Sequence, residues 1–231
     1  YSFFSEEGVY STDAGAMAAL TGLYSSVADY DYFGAAYFSL VTQASASFWA
    51  NHAQSRDLTA LTITPNVYWN YSVFDQSYTT INRANNIIAN LPNDKVSTTV
   101  GNNILGQAYF IRAMVYFNLV RLYGGVPLRT TPVGPDNLNL PRSTSKEIYD
   151  LIIADLERAK TLLPAPAAQT KGYPHRFAPY ALLGKVYVTL AGNDESSPYW
   201  QNAKTELLEV VNNEGTSYSL LPRFANLWDY T

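Results

Sequence analysis

Two short stretches hold the residues best suited to chemistry on a ligand. In "FWANHAQSRD", Trp49, Asn51, Gln54, Arg56 and Asp57 stand close together in a loop-like segment. In "NVYWNYS", Tyr68, Trp69 and Tyr71 follow soon after. Flat aromatic rings beside planar polar groups suit a pyranose. The C–H faces of the sugar stack on Trp or Tyr, and its hydroxyls pair with Asn, Asp, Arg and Gln. Loops without internal backbone ladders leave such side chains free for a ligand. The same residues admit a second reading, in which Trp49 and Trp69 pack a core. Trp200 and Trp228 lie in helical or closing elements and read as packing residues.

Signals for catalysis are weak. The two histidines, His52 and His175, sit in "WANHAQS" and "GYPHRF", outside any metal-ligand spacing, and read as solvated or structural. The chain has no cysteine, which excludes disulfides, thiol catalysis and zinc–cysteine sites. Gly124 and Gly125 follow a helix instead of preceding one, so they are a stop signal and not a phosphate cradle. Glu147, Asp150, Asp155 and Glu157 form an acidic run on one predicted helix, expected to be a solvated face. Glycoside hydrolysis needs two carboxylates across a cleft, and nothing in the sequence marks such a pair. No catalytic residue, metal site or cofactor is assigned.

Composition narrows the partners. The chain has 231 residues, 47% of them hydrophobic, enough for a substantial core. Charged residues are only 15%, while tyrosines number 19. A surface low in charge and rich in Tyr, Asn, Ser and Thr fits neutral polar ligands such as sugars. Net charge is −4 without a basic run, which argues against nucleic acid. No window of about eighteen apolar residues exists to span a membrane. The opening "YSFFSEEGVY" lacks an initiator Met and a signal peptide, as a mature or trimmed segment would. The apolar ending "FANLWDYT" suggests a stop inside a larger protein.

The elements behind these residues read as helix after helix. Caps and apolar steps of three and four place helices at about 12–28, 76–91, 103–123, 145–163, 179–191 and 198–213. Asp75 is the expected cap of the second, and Asn102 or Asn103 starts the third. Met17, Leu20, Leu23, Tyr24 and Val27 give the first its apolar face. In the third, Ile104, Ala108, Ile111, Val115, Leu119 and Leu122 form a stripe. Thr144 and Glu147 make a capping box for the fourth. The region 29–70 reads as irregular. Leu183-Gly184-x-x-Tyr187, with Tyr180 before it and Trp200 and Ala203 after it, partly fits the tetratricopeptide pattern. Leu105-Gly106-x-x-Tyr109 repeats a fragment of it. Physically, glycine lets two helices approach and an aromatic fills the adjoining groove. An all-α superhelix of tetratricopeptide-like hairpins with long irregular loops is the expected fold.

The stretch "QAYFIRAMVYFNLVRLYGGVPL" closely resembles the signature helix of the SusD/RagB family, nutrient-binding surface lipoproteins of Bacteroidetes. Ala108, Phe110, Arg112, Ala113, Tyr116, Phe117, Leu119, Val120 and Tyr123-Gly124-Gly125-Val126-Pro127-Leu128 carry the match. "INRANNII", "RSTSKEIYDLIIADLERAKTLLP", "HRFAPYALLGKVYVTLAG" and "YSLLPRFANLW" resemble further family segments in the same order. Phe177, Pro179 and Gly184 depart from the third of these patterns. The likeness covers residues 1–231 as one helical region, about the N-terminal half of a typical member. It implies a non-catalytic protein that captures glycan at the outer membrane surface and passes it to a SusC-like TonB-dependent transporter. Its membrane contact would be an N-terminal lipid anchor, whose cysteine is absent from this chain. A tetratricopeptide-type scaffold for protein or peptide is the alternative. The resemblance implies ligand contacts from loops of this N-terminal region and from the C-terminal half, but no family binding motif maps onto single residues here. The candidates Trp49, Asn51, Arg56, Asp57, Tyr68, Trp69 and Tyr71 rest on their residue types and spacing. The signature itself reads as architectural, with Arg112 and Arg121 tying loops to the superhelix or stacking on aromatics.

Overall fold

The computed structural model describes residues 6–43, 56, 60–62, 64–91, 94–215 and 219. The helices are α1 (Glu6–Val9), α2 (Asp13–Val27), a π-helical turn (Tyr30–Gly34), α3 (Ala36–Gln43), α4 (Tyr68–Asn90), α5 (Thr98–Tyr123), α6 (Ser145–Leu162), α7 (Phe177–Ala191) and α8 (Tyr199–Val211). No strand occurs among the described residues; an isolated antiparallel bridge joins Pro127 and Arg142. The chain is therefore all-α, with α5–α6 and α7–α8 packed as hairpins. Among the described residues, no helix is long and apolar enough to cross a membrane.

The hub is α5. Ile104, Ala108, Val115, Tyr116 and Leu119 are fully enclosed, and Ile111 and Phe117 nearly so. Neighbours on several sides account for its many aromatics: α2, α4 and α6 all pack against it. Two expected stripe members point outward instead, Leu122 on α5 and Met17 on α2. The helix begins at Thr98, earlier than the Asn102–Asn103 expectation. Ser97 precedes it, and its backbone N–H and hydroxyl both donate to the Asp13 carboxylate, at 2.8 and 2.7 Å. The start of α5 is thus pinned to α2 by a tertiary bond that local cap chemistry does not reveal.

Gly106 and Gly184 serve the close approach read from the repeat. A Cβ on Gly106 would stand 2.9 Å from the Leu163 side chain, and one on Gly184 would collide with Leu207 of α8. The Thr144–Glu147 capping box forms as expected: the Thr144 N–H donates to Glu147 Oε2 at 2.7 Å, and the Glu147 N–H donates to Thr144 Oγ1 at 3.3 Å.

Between α5 and α6 the chain runs as a strap, residues 124–144, laid back across α4 and α5. Gly124 stops α5 with φ +68°, a conformation that glycine adopts without Cβ strain. Conserving the strap's course falls to side chains of the two helices. Tyr116 Oη donates to the Arg129 carbonyl at 3.0 Å and accepts from the Arg129 N–H at 2.7 Å. Asn85 Nδ2 donates to the carbonyls of Arg129 and Thr131. Tyr78 Oη donates to the Pro127 carbonyl at 2.7 Å, and Asn82 Oδ1 accepts from the Val133 N–H at 2.9 Å. Arg112 of the signature donates to Asp155, Asn85 and the Thr130 carbonyl and stacks over Tyr109, while Arg121 stacks over Phe117. Arg112 thus ties the strap to the helices, stacking on Tyr109 three residues before it, and Arg121 stacks on Phe117.

Asp155 corrects the reading of the acidic run as a solvated face. Glu147, Asp150 and Glu157 are exposed as expected, but Asp155 is buried to 2% exposure on the core-facing side of α6. Its position explains this. It lies three residues after Ile152 and four before Ala159, inside the buried stripe of the helix.

Candidate functional site

The region 29–70, expected to be irregular, contains regular structure at the π-helical turn, α3 and the first turn of α4, while residues 60–62 and 64–67 are turn or coil as expected. The second helix starts at Tyr68, not near Asp75, and no side chain caps it. A run of aromatic and β-branched residues has modest helix propensity. Burial of Trp69, Ser72 and Val73 against the core overrides that preference.

This first turn divides the predicted aromatic residues between two environments. Trp69 points inward and is 7% exposed, so its ring is committed to the core. Tyr68 and Tyr71 point outward, with Tyr71 62% exposed. Trp49, Asn51 and Asp57 lie outside the described residues. Arg56 is exposed.

The π-helical turn supplies two residues that sequence reasoning missed. Tyr30 is exposed, and its ring lies 6.1 Å from Trp69. Asp31 Oδ1 accepts the Tyr68 phenol at 2.7 Å. That acceptor holds the Tyr68 hydroxyl above its ordinary pKa, keeping it protonated as the donor. Tyr68 in turn meets Trp69 edge-on at 5.0 Å. The result is a surface on which Tyr30 and Tyr68 flank the half-buried Asp31 carboxylate, with exposed Tyr71 three residues further along α4. Among the described residues, Asp31 Oδ2 has no hydrogen-bond partner.

Local geometry holds this surface in place. The N–H groups of Tyr32 and Gly34 both donate to the Asp29 carbonyl, at 3.0 and 2.8 Å. A Cβ on residue 34 would stand 2.7 Å from that oxygen, so the tight turn requires Gly34. Tyr32 is fully buried, and its hydroxyl accepts from Asn118 Nδ2 of α5 at 2.9 Å. The neighbouring Tyr37 hydroxyl donates to the same side chain at Oδ1, 3.2 Å away. Here the turn aims Tyr30 and Asp31 outward while anchoring the chain on the hub helix. The sequence signal was "ADYDYFG", acid and aromatic residues alternating before a glycine.

Among the described residues the surface holds neutral rings, hydroxyls and the carboxylates of Asp31 and Asp29, with no histidine beside them. His175 lies elsewhere, its Nδ1 accepting from the Phe177 N–H at the start of α7. Burial lowers the pKa of that imidazole, in keeping with a structural role. Chemically, the tyrosine surface is equipped to stack against C–H faces and to accept from hydroxyls.

A family model described as SusD-like, starch-binding and associating with the outer membrane matches residues 14–188. The chain belongs to the SusD-like family. SusD-like protein P2 of Formosa agariphila is 29% identical across 96% of this chain and 44% of its own length. SusD-like protein P38 of the same organism is 36% identical over 46% of this chain. A laminarin-binding SusD-like protein of known structure is 27% identical, with a TM-score of 0.78 over 92% of this chain and 47% of that one. A SusD homologue from Bacteroides thetaiotaomicron superposes with a TM-score of 0.82 at 22% identity, a likeness of fold. The chain thus spans about half the length of the SusD-like relatives it matches.

Proposed function

We propose that this SusD-like chain takes part in non-catalytic capture of glycan at the cell surface. Ligand would be held at the start of α4 and passed to a SusC-like TonB-dependent transporter in the outer membrane. The observation that carries the reading is the set of outward tyrosines Tyr30, Tyr68 and Tyr71 at the start of α4 and the turn before it, with Asp31 bonded to Tyr68, on the fold of a family described as starch-binding. Exposed tyrosine faces lose water when a sugar ring covers them, and each covered ring contributes on the order of 1–3 kcal/mol. Trp49, Asn51, Arg56 and Asp57, in or beside the adjoining segment, have the side chains to complete the hydrogen bonding. Trp69 supports the tyrosines from behind. A laminarin-binding relative makes β-glucans a sensible first panel, with starch as the second.

The test is affinity electrophoresis and calorimetry of the chain against laminarin, starch, mannan and xylan. Retarded migration in at least one gel, weakened by Tyr71→Ala, is expected. Unretarded migration in every gel would remove the reading. The alternative, a peptide-binding scaffold, has its own feature. A cavity of 500 Å³ between α3, α5 and α7 is lined by Phe33, Tyr37, Phe38, Phe110 and Met114. A glycan-negative chain that retains peptides from a random library would favour that reading.

A further inference from the structure

The tyrosine surface does not end with the first turn of α4. Steps of four, three and four residues align Tyr71, Asp75, Tyr78 and Asn82 on one face of the helix, flanked by Tyr68 and Thr79. From Tyr68 to Asn82 this face runs about 21 Å. Beyond Tyr71 it enters a cavity of about 850 Å³ between α4 and the strap. Phe74 and Tyr78 form its aromatic wall, with ring centroids 5.0 Å apart, and Tyr123 braces Phe74 edge-on at 5.3 Å. The strap closes the other side with aliphatic residues including Val133 and Leu138.

The polar groups of this cavity fall into two sets. One set is engaged in building it: Tyr78 Oη on the Pro127 carbonyl, Asn82 Oδ1 on the Val133 N–H, and the Arg129 guanidinium on the carbonyls of Asn137 and Leu138. The other set has no hydrogen-bond partner among the described residues: the Asp75 carboxylate, the Thr79 hydroxyl, Asn82 Nδ2 and the Asn139 amide. Because Arg129 is occupied by main-chain oxygens, the cavity offers no open cation for a phosphate or carboxylate ligand. Four open polar groups make it a poor place for a lipid tail. Aromatic faces beside unpaired carboxylate, amide and hydroxyl groups match a polyhydroxylated ring.

We infer that this cavity is a second saccharide subsite, continuous with the tyrosine surface, and that the ligand is an oligosaccharide lying along α4. This rests on the glycan reading above and gives it a minimum ligand length. Side chains of α4 and α5 bond the strap's main chain, so the far subsite is formed before ligand arrives, which limits the ordering cost of binding.

The test is calorimetric titration of the chain with a ladder of gluco-oligosaccharides from disaccharide to heptasaccharide, in β-1,3 and α-1,4 series. Asp75→Ala combined with Thr79→Val is the informative variant, because neither side chain makes a hydrogen bond in the fold and the melting temperature should hold. In the parent chain, affinity is expected to climb about tenfold or more between short and long members of the bound series. The double variant should lose that climb while binding the short members as the parent does. If long oligosaccharides bind the double variant as tightly as the parent, or if the parent gains nothing with length, the second subsite is disproved and the tyrosine surface stands alone. If no saccharide binds at all, the subsite and the glycan reading fall together.

Discussion

Arg112 grips Asp155 through two N–H···O bonds, Nε to Oδ2 at 2.7 Å and Nη2 to Oδ1 at 2.8 Å, with both side chains buried. The remaining guanidinium nitrogen donates to Asn85 Oδ1 at 2.7 Å and to the Thr130 carbonyl. One side chain therefore joins α4, α5, α6 and the strap. Removing one member of such a pair leaves the other buried and uncompensated, so Asp155→Asn is expected to cost about 3–5 kcal/mol. The double change Arg112→Met with Asp155→Leu should cost far less globally, since no charge is left behind. It should still release the strap, raising amide hydrogen exchange at Arg129 and its neighbours. Urea denaturation and exchange measured on both variants decide the matter. An Asp155→Asn loss below about 1 kcal/mol would deny the pair its structural role.

The signature helix, the Thr144–Glu147 box and the paired glycines were legible because each depends on local spacing. Three other features were not. Asp155 joins an acidic run by sequence, and only its place in the apolar stripe of α6 sets it apart from Glu147 and Asp150. The start of α4 was hidden because tertiary burial of Trp69 and Val73 outweighs the weak helix preference of an uncapped aromatic segment. The turn at Tyr30–Gly34 depends on a carbonyl from Asp29 and on Asn118, far along the chain, receiving Tyr32. Of the candidate site, residue types suggested Tyr68 and Tyr71 but could not separate them from inward-facing Trp69.

The helix glycines offer a paired test of packing. Gly184 faces Leu207 so closely that Gly184→Ala must displace it, with an expected loss of about 1–3 kcal/mol. Gly101 of α5 has room, since its added Cβ would meet only Val96 at 3.7 Å. Gly101→Ala should therefore gain up to about 1 kcal/mol from helix propensity alone. Thermal unfolding of the two variants should move in opposite directions. Equal shifts would mean that close approach at α7–α8 is not what holds residue 184.

Alkaline pH should unfold this protein early. Burial raises the hydroxyl pKa of Tyr24, Tyr32, Tyr78 and Tyr123 well above the ordinary value of 10.0, and that of Tyr116 to about 12. In the unfolded chain these phenols ionise near pH 10, so above that pH the unfolded state holds fewer protons than the folded one. Stability is then fully present below pH 10 and falls as pH rises through about 12. Tyrosinate absorbance followed beside circular dichroism should show these phenols ionising together with loss of helix. Their complete ionisation in a chain that keeps its helical signal would contradict the burial.

The first turn of α4 makes two aromatic substitutions behave in opposite ways. Trp69 is 7% exposed and lies against Tyr30 and Tyr68, so Trp69→Ala removes a core ring and leaves a cavity. A loss of about 3–5 kcal/mol is expected, and ligand capture should fail because the tyrosines lose their support. Tyr71 is 62% exposed, so Tyr71→Ala should leave the melting temperature almost unchanged. If the outward tyrosines form the glycan surface, that same variant weakens binding by about tenfold, equivalent to about 1.4 kcal/mol. Tyr68→Phe provides the finer probe. It keeps the ring and removes only the bond to Asp31, so any loss of affinity it produces reports on how that carboxylate is oriented. Stability measured by urea and affinity measured by calorimetry separate the two roles. Should Tyr71→Ala and Tyr68→Phe both bind ligand as the parent does, the tyrosine surface would not be the place where glycan is held.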